Sequence, residues 1–547
     1  MLGIVENRAW RKLWRISKRV PKVQDGFAVE SLRQKDRAGM AVLYVCFFFH
    51  FQGCLPGQSF FAGGNMDILL KIVQTVNAYL TDYVLIALLV GVGLLFTIRT
   101  RFVQVRCFGE GMRAVFGKIS LRGGKQRGGI SSFQALAVAV AAQVGTGNIV
   151  GACGAILIGG PGAIFWMWVI AFFGMATIYA EAVLAQKTRV TDADGNVRGG
   201  PVYYIRTAFS GRFGKFLAGF FAVACIVALG FFGTMVQSNS MAESISNAVG
   251  SPRYETAIRV AVGVAVAALS AFIFLGGLHR LAAATEKIVP VMAVLYLTGG
   301  LVLLLIRIRY IPETVGMIFK YAFRPEAIIG GGLGMALKKA ISQGAKRGLF
   351  SNEAGMGSTP HAHALAKVKE PHEQGVVAMI GVFIDTFVVL TMTALVVISA
   401  LYAGNGILSG GTAEGVMKTN MAQLAFGRVF DGPFGGIFVA ICLFFFAFST
   451  ILGWNLFGKL NIGYLFPRHR KLAEKVYALI AVAFVFLGSI LSNDLVWELT
   501  DFFNYLMVIP NVIALVALSS LVVSLTKKKK QKGQETPAPA EAEKETV

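Results

Sequence analysis

Ala141-Ala142-Gln143-Val144-Gly145-Thr146-Gly147-Asn148-Ile149-Val150 is a glycine-interrupted polar patch inside an otherwise apolar segment. An apolar run carrying Gln143, Thr146 and Asn148 beside two glycines makes a poor lipid-facing helix. It reads as a helix opened in mid-membrane. Irregular backbone at membrane depth persists only where protein buries it or where it lines a cavity, because freed N–H and C=O groups otherwise cost several kcal/mol each. The patch is therefore a candidate binding site, and the rest of the chain bears on what binds.

The 547 residues are 55% hydrophobic and only 15% charged, with 63 glycines, which places the chain among multi-spanning membrane proteins and away from soluble enzymes. A net charge of +23 suggests nucleic acid on its face, but the Lys and Arg fall between hydrophobic runs, where the positive-inside rule puts them. No nucleic-acid partner is expected. The six cysteines, Cys46, Cys54, Cys107, Cys153, Cys225 and Cys442, form no CxxC pair and no metal-ligand spacing, and read as packed thiols.

Hydrophobic segments predict eleven helices, near 82–98, 131–158, 163–186, 216–247, 257–277, 288–306, 329–362, 375–403, 433–458, 476–492 and 495–525. Four parts follow: a basic extension over 1–65, a first helix and loop over 66–130, a transporter core over 131–525, and a disordered Pro/Ala/Glu-rich tail over 526–547. The loop 99–127 holds eight basic residues from Arg99 to Arg127 against Glu110 alone, so it should be cytoplasmic. Alternation then places the N-terminus outside and the C-terminus inside. The loop 307–328, with Arg307, Arg309, Lys320 and Arg324, fits this imperfectly. The ten basic residues before Met40 also stand on the wrong side. The apolar run Met40–Phe51 is too short to span and imitates a signal peptide, and a true start at Met66 is the reading we favour.

The second unusual span, Gly330 to Ala364, contains Lys338, Lys339, Lys346, Arg347 and Glu353, so it must be broken or shielded. It lies five helices after the first break and runs the opposite way. Paired interrupted helices at matching positions of two five-helix halves point to an inverted-repeat secondary transporter with its site at the crossing. One extra helix precedes the repeat.

The physics of such a break suits an amino acid together with a cation. Exposed N–H groups of one half-helix hold a carboxylate, and freed carbonyls coordinate an ion. Close packing through small residues is the plainer reading of the glycines, but it asks for none of Gln143, Thr146 or Asn148. A dinucleotide-fingerprint reading of 145–151 lacks a preceding strand. Ser449 and Thr450, in the ninth helix, either back-bond to their own carbonyls or offer hard oxygens to Na⁺. Trp454 shares their face and walls a pocket or sits at the interface. Gln237-Ser238-Asn239-Ser240 are interfacial or substrate-contacting. Asp385 is an intramembrane carboxylate, functional by default, or else a partner for Lys or Arg from 330–364. Glu181 is expected to pair with a basic residue. His361, His363 and His372 lack flanking carboxylates, which argues against a metal. No P-loop, HExxH or nucleophile elbow is present, and no enzymatic activity is expected.

The chain resembles the alanine or glycine:cation symporter family, carriers usually described as sodium:alanine symporters. The resemblance rests on SSFQAL (131–136), VGTGNIVG (144–151), GGPGAIFWMW (159–168), GNVRGGPVYYI (195–205), RGLFSNEAGMGS (347–358), GVFIDT (381–386) and FAFSTILGW (446–454). It implies an all-α polytopic membrane protein with a LeuT-like five-plus-five inverted repeat, acting as a monomer in the lipid bilayer of the bacterial inner membrane. Sodium-coupled import of alanine or glycine by alternating access follows, with no organic cofactor. By motif, Thr146, Gly147 and Asn148 hold the substrate backbone, with Gln237, Trp454, Ser351 and Asn352 as further contacts. Sodium lies between the carbonyls of Ala141 and Val144 and the hydroxyls of Ser449 and Thr450. The alternative is a proton-coupled carrier of another small solute, with Asp385 or Glu353 carrying the proton. Two departures from the family pattern, Asn455 to Lys459 and His361, bear on gating.

Overall fold

The computed structural model describes residues 63–527 apart from 118–128, 193–194, 325–332, 411–412, 431 and 492. The basic extension up to residue 62, the apolar run Met40–Phe51 and the tail beyond Lys527 lie outside the described residues. The chain divides into two compact units, Met1–Ile68 and Leu69–Val547, and the sites below belong to the second.

The helices, in order, are α1 (Ile68–Arg99), α2 (Phe108–Phe116), α3 (Ser132–Gln143), α4 (Ala152–Gly159) and α5 (Ala163–Thr188). A two-stranded hairpin, β1 (Val190–Thr191) and β2 (Val197–Arg198), follows. Next come α6 (Pro201–Ala208), α7 (Gly211–Val249), α8 (Pro252–Phe274), α9 (Gly277–Ile306), α10 (Ile311–Phe323) and α11 (Leu333–Asn352). The last are α12 (Pro360–Ala364), α13 (Pro371–Leu401), α14 (Met421–Val429), α15 (Phe434–Leu465), α16 (Arg470–Ile490), α17 (Asn493–Ala517) and α18 (Ser519–Lys527).

Among the described residues nine helices are long and apolar enough to cross a membrane, and the α3–α4 pair, bent by 47°, makes ten. The eleventh expected span is α11–α12, which four basic residues exclude on composition alone. These charges are shielded. Lys346 Nζ lies 2.9 Å from Asp501 Oδ2 and 3.5 Å from Glu498 Oε1, Arg347 Nη1 lies 3.4 Å from Asp501 Oδ2, and Lys338 Nζ lies 2.8 Å from Asp82 Oδ2.

The last of these contacts also corrects the first span. We expected a helix to begin near Asp82, but Asp82 takes Lys338 and the Ser342 hydroxyl as partners, so its charge does not end the helix. Similarly, residues 279–287, expected as a connector, form the first turns of α9, where Glu286 accepts from Gln134 Nε2. The final span, expected as 495–525, is interrupted at Leu518 between α17 and α18.

Helices α5 and α15 form the centre, with 67% of their spanning windows buried, whereas α9 is 22% buried and turns most of its surface outward. An apolar helix buried on all sides belongs to a protein core, and one buried on a single stripe meets lipid. The two broken helices are tied at one end. Ile130 N donates to Leu365 O, and Lys367 N donates to Ile130 O, joining the start of α3 to the end of α12.

Candidate functional site

Helix α3 begins with a capping box between Ser131 and Gln134 and ends at Val144, whose ψ of 89° leaves the helical region. Helical turns resume at Gly147. The opened residues are closed by side chains: Gly145 N donates to Asn148 Oδ1 (2.9 Å) and Thr146 N donates to Gln237 Oε1 (3.2 Å). The sequence patch is therefore a real break, and Gln237, on α7, reaches it.

The second break runs from Glu353 to Thr359. Glu353 sits in the left-handed region at φ 57°, followed by Gly355 at 90° and Gly357 at 82°. A left-handed non-glycine residue costs about 1–2 kcal/mol and persists where its surroundings over-determine it. Glu353 is held by the Trp454 Nε1 and Ser358 hydroxyl donors, one on each carboxyl oxygen. Gln143 Nε2 donates to Asn352 O (2.7 Å) and so joins the two breaks directly.

Across from the first break, the Thr450 Oγ1 lies 2.9 Å from Ala141 O and 3.5 Å from Val144 O, and the Ser449 Oγ lies 3.4 Å from Ala141 O. Both hydroxyls also reach Phe446 O on their own helix, as the back-bonding reading expects. Helices α3 and α15 touch because Gly145 and Gly453 let them. A Cβ on Gly145 would lie 2.3 Å from Thr450 Oγ1, and one on Gly453 would lie 2.8 Å from Ala142 Cβ.

Asp385, on α13, faces both breaks. Its carboxylate accepts from Asn148 Nδ2 (2.6 Å), from Ser351 Oγ (2.9 Å) and from Thr386 Oγ1 (2.8 Å). No Lys or Arg is among these partners, because Lys346 and Arg347 turn to Asp501. Glu181 likewise takes amide partners, Asn511 Nδ2 and Gly355 N, and not the basic residue expected. Ser351 and Asn352 face inward at the break, bonded to Asp385 and to Gln143 and Thr386.

Trp454 is 1% exposed, which removes the interface reading; its ring meets Phe350 edge-on at 5.9 Å. Phe350 also packs within 5.0 Å of Trp497, and a Cβ on Gly147 would lie 3.1 Å from it. The sequence reading missed Phe350, since an aromatic in an apolar run carries no anomaly. Within Gln237–Ser240, Asn239 instead ties α7 to Gly488 O and Leu491 O.

Thr146 Oγ1 and Gln237 Nε2 are buried without a hydrogen-bond partner in the protein. The two departures from the family pattern meet each other: the His361 ring stacks at 5.5 Å on Phe457, and its Nε2 lies 2.9 Å from Asn461 Nδ2. His363 bonds Gln374.

The fold and this pair of crossed breaks define a polytopic carrier and not an enzyme. A family model described as sodium:alanine symporter family matches residues 66–543, and the chain belongs to that family. Sodium/alanine symporter AgcS of Methanococcus maripaludis is 41% identical over 464 residues, covering 84% of this chain and 97% of AgcS. Amino-acid carrier protein AlsT of Bacillus subtilis is 37% identical over 444 residues, covering 80% and 88%. Among solved structures, MhsT in complex with L-phenylalanine aligns with a TM-score of 0.50 at 15% identity, over 74% of this chain and all of MhsT. That likeness establishes the LeuT-type fold alone.

Proposed function

We propose that the protein imports alanine or glycine together with Na⁺ by alternating access. It acts as a monomer in the bacterial inner membrane, with eleven spans, its N-terminus outside and its C-terminus in the cytoplasm. The observation that carries this reading is the oxygen cluster of Ala141, Val144, Ser449 and Thr450, in which hydroxyls and carbonyls from two helices converge at a helix break. Hard, neutral oxygens at such a break suit an alkali cation.

In this account Thr146, Gly147 and Asn148 receive the amino acid's backbone, and the unpaired donors of Thr146 and Gln237 meet its carboxylate. Trp454 and Phe350 crowd the side-chain end, which favours a small substrate, while Ser351 and Asn352 hold the second break in place. Na⁺ bound at Val144 O and Thr450 Oγ1 fixes the opened segment that the substrate touches. The two ligands then raise each other's affinity by the same factor. Alanine uptake into proteoliposomes is expected under an imposed Na⁺ gradient and not under a pH gradient alone. Equal uptake under the pH gradient without Na⁺ rejects the reading, and competition among amino acids against labelled alanine ranks the substrates.

The second reading, proton coupling to another small solute, rests on Asp385 and Glu353, two fully buried carboxyl groups at the breaks. Uptake driven by the pH gradient and lost in Asp385→Asn or Glu353→Gln is its signature.

A further inference from the structure

We propose that Cys107, Glu110 and His372 form a site for a borderline-soft divalent cation of the Zn²⁺ class. Cys107 immediately precedes α2, Glu110 lies three residues on, and His372 is the second residue of α13. Residues three apart on a helix share a face. One ligand atom from each lies within 4.8 Å of the others. The separation of His372 Nε2 and Glu110 Oε2 is 3.4 Å. That is long for a hydrogen bond, but it matches the donor-to-donor edge of about 3.4 Å in a tetrahedral site with bonds of about 2.1 Å.

A hydrogen-bond relay orients the histidine. When the Thr526 hydroxyl donates to Val522 O (2.9 Å), it accepts from the Tyr179 hydroxyl (3.0 Å). In that arrangement the Tyr179 oxygen accepts from His372 Nδ1 (2.7 Å). With its proton on Nδ1, the ring turns its Nε2 lone pair toward Glu110 and Cys107. This outer-shell arrangement is the one that metal-ligating histidines use. The platform is rigid, since α2 packs so closely on α13 that a Cβ on Gly111 would lie 2.8 Å from Val376 O.

A thiolate, a carboxylate and a neutral imidazole balance the charge of a divalent cation, and three protein ligands leave a fourth position for water. Cys107 and His372 are buried, whereas the Glu110 side chain is 37% exposed and gives the ion a path from solvent. Arg106, next to Cys107 in the chain, donates to Thr100 O. In the proposed topology this end faces the cytoplasm, where thiols stay reduced.

The test titrates Cd²⁺ and Zn²⁺ into the full chain, purified without a polyhistidine tag. One equivalent of Cd²⁺ is expected to produce a thiolate-to-cadmium charge-transfer band that Cys107→Ser removes. Glu110→Gln and His372→Gln are expected to weaken Zn²⁺ binding at least tenfold. The metal-free unfolding midpoint of Glu110→Gln is measured alongside, so that its Zn²⁺ affinity is read on folded protein and reports on the ion even where Cys107→Ser folds poorly. Absence of the band, its persistence in Cys107→Ser, or parental Zn²⁺ affinity in Glu110→Gln overturns the proposal.

Discussion

Replacing Gly145 by Ala tests the ion cluster without removing any of its oxygens. The new Cβ would stand 2.3 Å from Thr450 Oγ1, 3.1 Å from Thr450 Cβ and 3.2 Å from Gln237 Oε1. The hydroxyl must retreat by about 1 Å to reach ordinary contact, and a β-branched side chain has few rotamers to retreat into. Its contacts with Ala141 O and Val144 O are lost together. Overpacking of this kind costs about 1–3 kcal/mol, and a lost hydrogen bond about 1 kcal/mol more. If half of this penalty falls on the sodium-bound form, the Na⁺ concentration for half-maximal alanine uptake rises about five- to thirtyfold, at about 1.4 kcal/mol per decade. The assay is alanine uptake into proteoliposomes across a Na⁺ series, with Gly91→Ala as control, because nothing lies within 4 Å of a Cβ there. In a Thr450→Ala background the hydroxyl clash is gone and only the Cβ contact remains, so the two substitutions should be far from additive. Parental Na⁺ dependence in Gly145→Ala, or strict additivity in the double variant, would falsify the reasoning.

Asp385→Asn keeps the shape but replaces the acceptor of three hydrogen bonds, which at about 1 kcal/mol or more per weakened bond should lower stability by about 2 kcal/mol and reduce uptake at least tenfold; parental uptake excludes the residue from the site. Trp454→Phe removes the indole donor to Glu353 and is expected to raise the KM for alanine severalfold while leaving Na⁺ dependence unchanged; a shifted Na⁺ dependence with constant KM assigns it elsewhere. At the solvent-exposed hairpin, burial raises the Asp192 pKa, but donors from Arg198, Asn196 N and Arg470 outweigh it and hold the carboxyl well below the usual range. Its stabilising effect is therefore fully present above the unfolded-state value of about 3.9 and fades as pH falls through the folded one. Asp192→Asn should lower the unfolding temperature slightly at pH 7, by the equivalent of about 0.5–1 kcal/mol, and the difference should shrink in acid. A difference that widens below pH 4 contradicts that sign.

The breaks were legible because polar residues in an apolar run are anomalies that lipid does not tolerate. Val144 to Thr146, the hydroxyls of Ser449 and Thr450, and the charges of α11 all announce themselves in this way. Partner choice was not legible. Glu181 was expected to meet a cation, as was Asp385 on its alternative reading, and they meet amides and hydroxyls instead, because the cations of α11 lie beside Asp501 and Glu498, some 150 residues further along. Phe350 and Gly453 look like ordinary apolar and small residues, and their roles come only from what they touch. The same holds for Cys107 and His372, whose spacing in the chain resembles no ligand motif. Asp82 misled for the opposite reason: a charge that normally ends a span is neutralised by a lysine 256 positions away.

The bonds around the two breaks differ in kind from one end of the bundle to the other. At one end the ties are backbone to backbone, through Ile130, Leu365 and Lys367, reinforced by Gln186 and Arg189 on carbonyls of the α12 end. They join α3, α5 and α12 into one body, and Gln143 carries that body through to Asn352. At the other end the ties are side-chain ion pairs, running from Lys346 and Arg347 on α11 to Asp501 and Glu498 on α17, and from Lys418 to Asp494. The Lys418–Asp494 pair, whose aspartate is 74% exposed, exchanges for hydration at little net cost, whereas the pairs on the buried Asp501, like the buried backbone bonds, are costly to break. In the proposed cycle α3, α5, α11 and α12 move together, and the exposed Lys418–Asp494 pair gives way before the buried contacts on Asp501. The cluster on Thr450 lies across the remaining seam, between α3 of the moving body and α15. In the proposed account a cation there would bond both sides of the joint at once, so its binding energy would act on the angle between them and couple Na⁺ to movement.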